Sequence, residues 1–414
     1  MQLLAPTGTV AWHAPREMDV VLTESQQAVH DALHRGRNSI VIGPAGTGKT
    51  YIIGALLHTL AQEVMEEGKS LRVVSDTIAK YLQLRPGLSV GEQRAKLKGV
   101  RDTLALVRTR VMIIDEFSMV PASDMGHLDV VLRRVLDSEK PFGDMQIIMI
   151  GDDYQLGSIS KDPFVGSPLY NEAKFSTFHL DQVLRQDDTD DNSDFCSFLW
   201  GLRRTQDGKR LSVADECYLD YMLYRSPRGD DWIGACATRA EVKKINEKRV
   251  ARHEGPRYMI GNVLEDYLND PRGTVLHPGA PIQISHNVYE DGKLVHYNGE
   301  LGTFVDFIDP ETSPVVHGVP YELVSANTSV IVDIGGKVCT IHPVNKVAPI
   351  DCAYATTIHR LQGQTIRKPK GIYVNLDGVD KEEALRLAYV AFTRAEHGSQ
   401  VSTNVSSDQL AAYC

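Results

Sequence analysis

The chain has 414 residues, of which 42% are hydrophobic and 24% charged, an ordinary globular balance that excludes a disordered or collagen-like chain. Its length suggests about three domains, or two with insertions. Lys and Arg total 44 against 54 Asp and Glu, a formal charge of -10, which weighs against a protein that coats duplex DNA but leaves room for a narrow basic groove.

No apolar run approaches the ~18 residues of a membrane span. The opening MQLLAPTGTV lacks a basic stretch before an apolar one, so no secretory signal is expected. The cysteines Cys196, Cys217, Cys236, Cys339, Cys352 and Cys414 are scattered without a C-x-x-C pair. That argues against a zinc module or an oxidised scaffold, and a cytoplasmic location is expected.

In chain order, short continuous apolar runs predict buried parallel strands at residues 39–42, 71–74, 111–114 and 146–150, with helical patterns between them. Residues 81–110 are polar and helical in pattern, broken at Pro86-Gly87. The acidic stretch 187–194 reads as a solvated loop or helix start. A second block places strands at 232–235 and 371–376 and a helix at 382–391. Between them, residues 271–345 form short strands separated by turns such as Asp291-Gly292, Asn298-Gly299 and Gly335-Gly336, an inserted all-β unit. The class expected is α/β.

The strongest chemical signal is Gly43-Pro44-Ala45-Gly46-Thr47-Gly48-Lys49-Thr50. It fits G-x-x-x-x-G-K-[ST], follows an apolar strand and opens a helix that runs to about Glu67. The glycines let backbone N–H groups turn inward on phosphate oxygens, and the helix adds its positive end. Lys49 is placed to meet β- and γ-phosphates and Thr50 to ligate Mg²⁺. About 65 residues further on, the strand 111–114 ends in Asp115-Glu116. Alternation sends the two carboxylates different ways, so Asp115 suits the metal and Glu116 the attacking water. A third apolar strand ends in Gly151-Asp152-Asp153-Tyr154-Gln155, where Gln155 can sense a γ-phosphate and Asp152 can second the metal.

The order of GPAGTGKT, IIDEFSMV, GDDYQL, VLRQ, CATRAEVKKIN, TTIHRLQGQT and YVAFTRA resembles superfamily 1 helicases of the RecD/Pif/Dda-like branch, which move 5′ to 3′ on single-stranded DNA. The resemblance runs from about Leu22 to Ala395. It implies two RecA-like P-loop domains with parallel sheets: residues 21–168 with a small insertion at about 81–110, then 169–270 together with 346–414. It also implies an SH3-like β insertion at 271–345 and an N-terminal extension at 1–20. It implies ATP and Mg²⁺ as cofactors, with residues 43–50, Gly363 and Gln364 lining the nucleotide. Arg185 and Arg394 would be arginine fingers, whose planar forks suit charge developing on a γ-phosphate. For Arg394 the alternative is a charge that complements a helix C-terminus. Gln26 matches the adenine-reading glutamine, with a capping box with Thr23 as the competing reading.

For DNA, the resemblance points to Thr238, Arg239, Thr357 and His359. It also points to Thr77, within a V-S-D-T-I-A-K turn where the family carries a small-Pro-Thr type. That string fits either of two neighbouring family motifs in compressed form. Fewer than 40 residues separate Lys80 from Asp115, so any strand-separating wedge is small and translocation is a firmer expectation than unwinding. The expected partners are single-stranded and forked duplex DNA and replication or recombination proteins, with the chain active as a monomer and away from membranes. A small-molecule kinase would use residues 43–50 and Asp115, but it needs no second α/β block carrying Arg185 and Arg394. A non-hydrolysing switch has no need of Lys49, Glu116 and both arginines.

Overall fold

The computed structural model describes residues 8–11, 21–44, 46–66, 72–75, 109–155, 162–181, 192–225, 232–261, 274–290, 293–310, 321–344 and 347–413. They fall into two units, Met1–Asp187 and Asp188–Cys414. Among the described residues no helix is long and apolar enough to cross a membrane.

The first unit is built on a four-stranded sheet in which Val111–Ile114, Gln146–Gly151, Ser39–Ile42 and Ser176–His179 lie side by side, all parallel. Successive residues of a strand face opposite sides, and here both sides are covered. Val41, Ile148 and Ile150 pack with Val29 and Leu33 of the helix Glu24–His34 and with Ile52 and Leu56 of the helix Lys49–Glu66. Ile40, Ile42, Ile147 and Met149 pack on the other face with Met125, Leu128 and Leu132 of the helix Ala122–Val135. Burial on both faces is why these strands read as unbroken apolar runs. Outside this sheet, Gly8–Ala11 pairs antiparallel with Arg72–Ser75.

Strands 39–42 and 111–114 fall where the sequence predicts, and 146–150 runs one residue further; the strand expected at 71–74 is Arg72–Ser75, and instead of joining the parallel sheet it pairs antiparallel with Gly8–Ala11. The domain boundary expected at residue 168 does not hold. Ser176–His179 pairs along its length with Ser39–Ile42, so the first unit continues past it. That strand reads S-T-F-H with alternating burial at a sheet edge, so it lacks the apolar run that marks a central strand. The predicted insertion at 81–110 lies outside the described residues except for Thr109 and Arg110.

The second unit has its own four-stranded parallel sheet, in the order Ala355–Thr357, Trp232–Cys236, Gly371–Asn375, Val401–Thr403. Inserted into it is an antiparallel five-stranded sheet of Lys337–Ile341, Ser329–Ile334, Leu301–Ile308, Pro281–Ile284 and Ile350–Cys352. A buried cluster that includes Ile282, Ile284, Phe304, Val330, Val332 and Ile341 forms its core. This β region is wider than the expected 271–345. Tyr258–Gly261 pairs with Thr274–Leu276 and Glu322–Ser325, and Ile350–Cys352 closes the sheet edge. The helix expected at 382–391 is Lys381–Phe392.

One carboxylate pins the approach to the third phosphate-side strand. Asp129 accepts from the Phe142 N–H at 2.6 Å and from Arg133 Nε at 2.9 and 3.0 Å, while Arg133 also reaches Glu172 at 2.9 Å. Phe142 and Gly143 have φ of 52° and 66°, a tight turn that the Asp129 contact holds. Asp129→Ala is expected to cost about 2 kcal/mol, the worth of a hydrogen bond to a charged group plus an orphaned buried N–H. Chemical denaturation should show a lower midpoint at unchanged m-value.

Candidate functional site

Three neighbouring parallel strands deliver the site of the first unit. Ser39–Ile42 ends in the phosphate loop, Gln146–Gly151 in Asp152, and Val111–Ile114 in Asp115-Glu116. Side chains beyond the C-terminal ends of parallel strands face the ligand crevice of such sheets. The Gly43 N–H donates to the Gly151 carbonyl at 3.1 Å, tying the first two strand ends together. A Cβ on Gly43 would stand 2.7 Å from Thr47 Oγ1 and 2.8 Å from the Leu180 carbonyl oxygen, so only glycine fits there. Gly46 and Gly48 hold φ of 91° and 81°, the left-handed turns that aim successive N–H groups inward. Lys49 starts an 18-residue helix, and its Nζ donates to the carbonyls of Gly43 at 2.6 Å and Pro44 at 2.9 Å. Thr50 is exposed on the first turn, and Ala45 lies outside the described residues.

Gln26 forms the helix cap and reaches the phosphate loop as well. The capping box forms, with Gln26 Oε1 accepting from the Thr23 N–H at 3.0 Å and Thr23 Oγ1 accepting from the Gln26 N–H at 3.3 Å. The other end of the amide, Nε2, donates to the Thr47 carbonyl at 3.1 Å. Gln26 and Thr47 are both buried. Sequence reasoning had the cap but missed this brace on the phosphate loop.

The backbone kinks directly after Asp115. Glu116 has φ 53° and ψ 47°, a left-handed conformation that costs a non-glycine residue about 1–2 kcal/mol. Its N–H donates to Asp115 Oδ1 at 2.8 Å. Asp115 as a residue is exposed, yet protein surrounds its carboxyl closely enough that desolvation pushes its pKa above the ordinary carboxylate range. The Glu116 N–H and the charge of Lys49 pull the other way. Asp152 is fully buried, its Oδ1 accepts from the Tyr154 N–H at 3.2 Å, and Gln155 is buried just beyond it.

In the second unit, two threonines occupy equivalent places. Thr238 follows the strand Trp232–Cys236 and caps Arg239–Ala251, its side chain accepting from the Glu241 N–H at 3.3 Å. Thr357 ends the adjacent strand and caps Ile358–Leu361 in the same way through the Arg360 N–H at 3.3 Å. Thr357 pairs with Cys236, so both caps stand at one edge of one sheet, with Arg239 and His359 exposed beside them. The structure therefore brings together four of the five residues expected to meet DNA. Thr77 lies outside the described residues, as does Arg185.

Arg394 is buried at the end of Lys381–Phe392. Its Nε donates to the Val390 carbonyl at 2.9 Å, Nη2 to Thr393 Oγ1 at 3.0 Å and Nη1 to the Gln364 carbonyl at 3.2 Å. This is the helix-end arrangement, the alternative that the sequence left open. Gly363 has φ 78°, and the Gln364 side chain donates to the Gly299 and Arg360 carbonyls.

A family model described as an AAA domain matches residues 21–199. Over 331 residues the chain is 27% identical to the ATP-dependent DNA helicase PIF1 of Saccharomyces cerevisiae strain YJM789, covering 72% of this chain but 37% of that relative. The crystal structure of Pif1 helicase from Candida albicans superimposes with a TM-score of 0.69 at 21% identity, covering 94% of this chain and 96% of that one. The fold is that of the Pif1 helicases. A second such structure, Pif1 from Bacteroides in complex with ADP-AlF3 and single-stranded DNA, matches with a TM-score of 0.68 at 20% identity over 95% of both chains. The likeness of fold runs along nearly the full chain, and the sequence relatives, at 27% identity in the yeast case, are ATP-dependent DNA helicases of the Pif1 kind.

The raised pKa of Asp115 gives a pH test with a definite sign. A folded-state carboxyl pKa above the unfolded value means the native state binds more protons in that window, so this group's contribution to stability falls as pH rises through it. Asp115→Asn should therefore raise the melting temperature at neutral pH. The gain should shrink below about pH 4, where the unfolded carboxyl is itself protonated. Calorimetry of both proteins between acid and neutral pH checks this.

Proposed function

We propose that this chain is an ATP-dependent DNA helicase that moves 5′ to 3′ on single-stranded DNA and acts on forked duplexes. The observation that carries the reading is the convergence of the phosphate loop, Asp115-Glu116 and Asp152 at the ends of three adjacent parallel strands. The second parallel sheet, with its paired threonine caps, and the likeness to Pif1 helicases support it. The chain spans about a third of the yeast relative's length, so its activity is argued from its own residues.

The donor set fits a magnesium nucleotide. A carboxylate whose negative form is disfavoured by desolvation, close enough to feel the charge of Lys49 at the helix start, is a place where a divalent cation is stabilising. Thr50 and Asp115 would hold Mg²⁺, and residues 43–48 would cradle the phosphates with backbone N–H groups. When bound, Mg²⁺-ATP supplies the phosphoryl bond whose cleavage drives the cycle. Lys49 exchanges its bonds to the Gly43 and Pro44 carbonyls for phosphate oxygens. Glu116 orients the attacking water, and Gln155 senses the γ-phosphate. Gln26 braces Thr47, and the second proton of its amide is the one left to read an adenine. Gly363 and Gln364 line the nucleotide, and Arg185 and Arg394 act as fingers. For Arg394 this requires leaving the Val390, Thr393 and Gln364 acceptors.

Thr77, Thr238, Arg239, Thr357 and His359 take the DNA backbone, and the antiparallel unit is the SH3-like module. Hydroxyls and helix N-termini bind phosphates without added cations, which reconciles DNA binding with a net charge of -10. The protein would act as a monomer in the cytoplasm alongside replication or recombination proteins.

ATPase rates with and without single-stranded DNA test the reading. DNA-stimulated hydrolysis is expected, and unstimulated transfer to a small acceptor would make the chain a kinase instead. Lys49→Ala should abolish turnover. Glu116→Gln should keep nucleotide binding while hydrolysis falls steeply. Arg394→Ala should cost about 10³-fold in stimulated rate, with Arg394→Lys giving no rescue.

A further inference from the structure

The turn Asn298-Gly299 joins the antiparallel unit to the segment that carries Gln364. Gly299 is buried with φ 99°, and its N–H donates to the Ile284 carbonyl at 2.7 Å. Its carbonyl accepts from two amides, Gln283 Nε2 at 2.9 Å and Gln364 Nε2. A Cβ on Gly299 would lie 3.1 Å from Gln364 Nε2, so the amide packs directly against the turn. Gln283 is 1% exposed, and its Oε1 accepts from Thr356 Oγ1 at 2.7 Å, on the parallel strand Ala355–Thr357. The Gln364 backbone carbonyl accepts from Arg394 Nη1, and the Ile366 N–H donates to the Arg394 carbonyl at 2.8 Å. One short segment is thus clamped by the β unit on one side and by Arg394 on the other.

We infer that Gln283 and Gly299 are positioning residues that hold Gln364, and through it Arg394, in the helix-end arrangement, so that the antiparallel unit sets how readily Arg394 is released for catalysis. This rests on the proposed helicase reading. A buried glutamine whose amide joins a β-unit turn to a parallel strand is costly to leave unpaired, and both ends of Gln283 are paired. A polynucleotide strand that shifts the 298–299 turn would loosen Gln364 and take away one of the three acceptors that hold the Arg394 guanidinium. The β unit would then read strand engagement, and Arg394 would report it to the phosphate site. Gln364 thereby gains a second role beside lining the nucleotide.

Gln283→Met keeps the volume and removes both hydrogen bonds. The expected result is a rise in basal ATPase kcat of about fivefold, the equivalent of one hydrogen bond. KM for ATP and the rate at saturating single-stranded DNA should stay unchanged, so the stimulation ratio falls by the same factor. In the double variant Gln283→Met/Arg394→Ala the basal gain should vanish, because it acts through Arg394. Thr356→Val, which frees the far end of Gln283, should give a smaller gain of the same sign, and it carries the test if Gln283→Met does not fold. An unchanged stimulation ratio in a normally stimulated background would overturn the inference and leave the helicase reading intact. So would equal losses of basal and stimulated rate with lower thermal stability, which mark a merely structural role. A wild-type ATPase that DNA does not stimulate would remove the helicase reading and this inference with it.

Discussion

Parallel pairing on both sides of Ser39–Ile42 decides where everything else in the first unit can stand. With Gln146–Gly151 on one flank and Ser176–His179 on the other, the strand has no free edge, and the chain must turn out of the sheet at Gly43. The turn is squeezed from both neighbours, since Gly43 donates to Gly151 and the Leu180 N–H donates to the Ile42 carbonyl at 2.8 Å. A glycine at the crossing is the only residue without an atom to clash, and the loop that follows inherits its direction. The same squeeze reaches the acidic pair. A Cβ on Gly151 would stand 2.8 Å from the ring of Phe117, so the aromatic that follows Glu116 packs against the neighbouring strand end. The spacing of the phosphate loop from the carboxylates is therefore a property of sheet packing more than of the loop itself.

That geometry holds several unfavourable features at one end of one sheet. Glu116 is in a left-handed conformation, Asp115 is a carboxylate disfavoured by desolvation, and Asp152 is wholly buried. The first two are destabilising by themselves, and they are tolerated because apolar clusters on both faces of the sheet over-determine the strands that carry them. Strain and misplaced charge collected where a cation and phosphates would relieve them are signs of a functional site.

The parts of this arrangement legible in the sequence are those with a local physical signature. The phosphate loop is written in glycines and a lysine, the central strands in apolar runs, and the helix before Arg394 in its periodicity. The edge strand Ser176–His179 was not legible, because half of its residues face solvent and nothing in S-T-F-H separates it from a loop. The brace from Gln26 to Thr47 spans 21 positions, and the contacts of Gln283 with Thr356 span 73. Such pairs carry no sequence pattern, since a glutamine looks the same whether it caps a helix, reads a base or holds a turn. The resemblance could name Gln364 as a site residue, but not that its side chain would be committed to Gly299.

Buried Gln26 and half-buried Gln364 make the same physical point in opposite settings. Gln26 ties a helix start to the phosphate loop, and Gln364 ties a β turn to the segment beside Arg394. The Gln26 amide accepts from Thr23 and donates to Thr47, and that of Gln364 donates to the Gly299 and Arg360 carbonyls, in each case without the desolvation cost of an ion. The charged residues are instead kept at the strand ends and helix termini, where a phosphate or a metal can meet them. Neutral buried amides transmit position, charged groups act on it, and the separation lets a movement at the β unit bear on Arg394 without a charge being moved through the core.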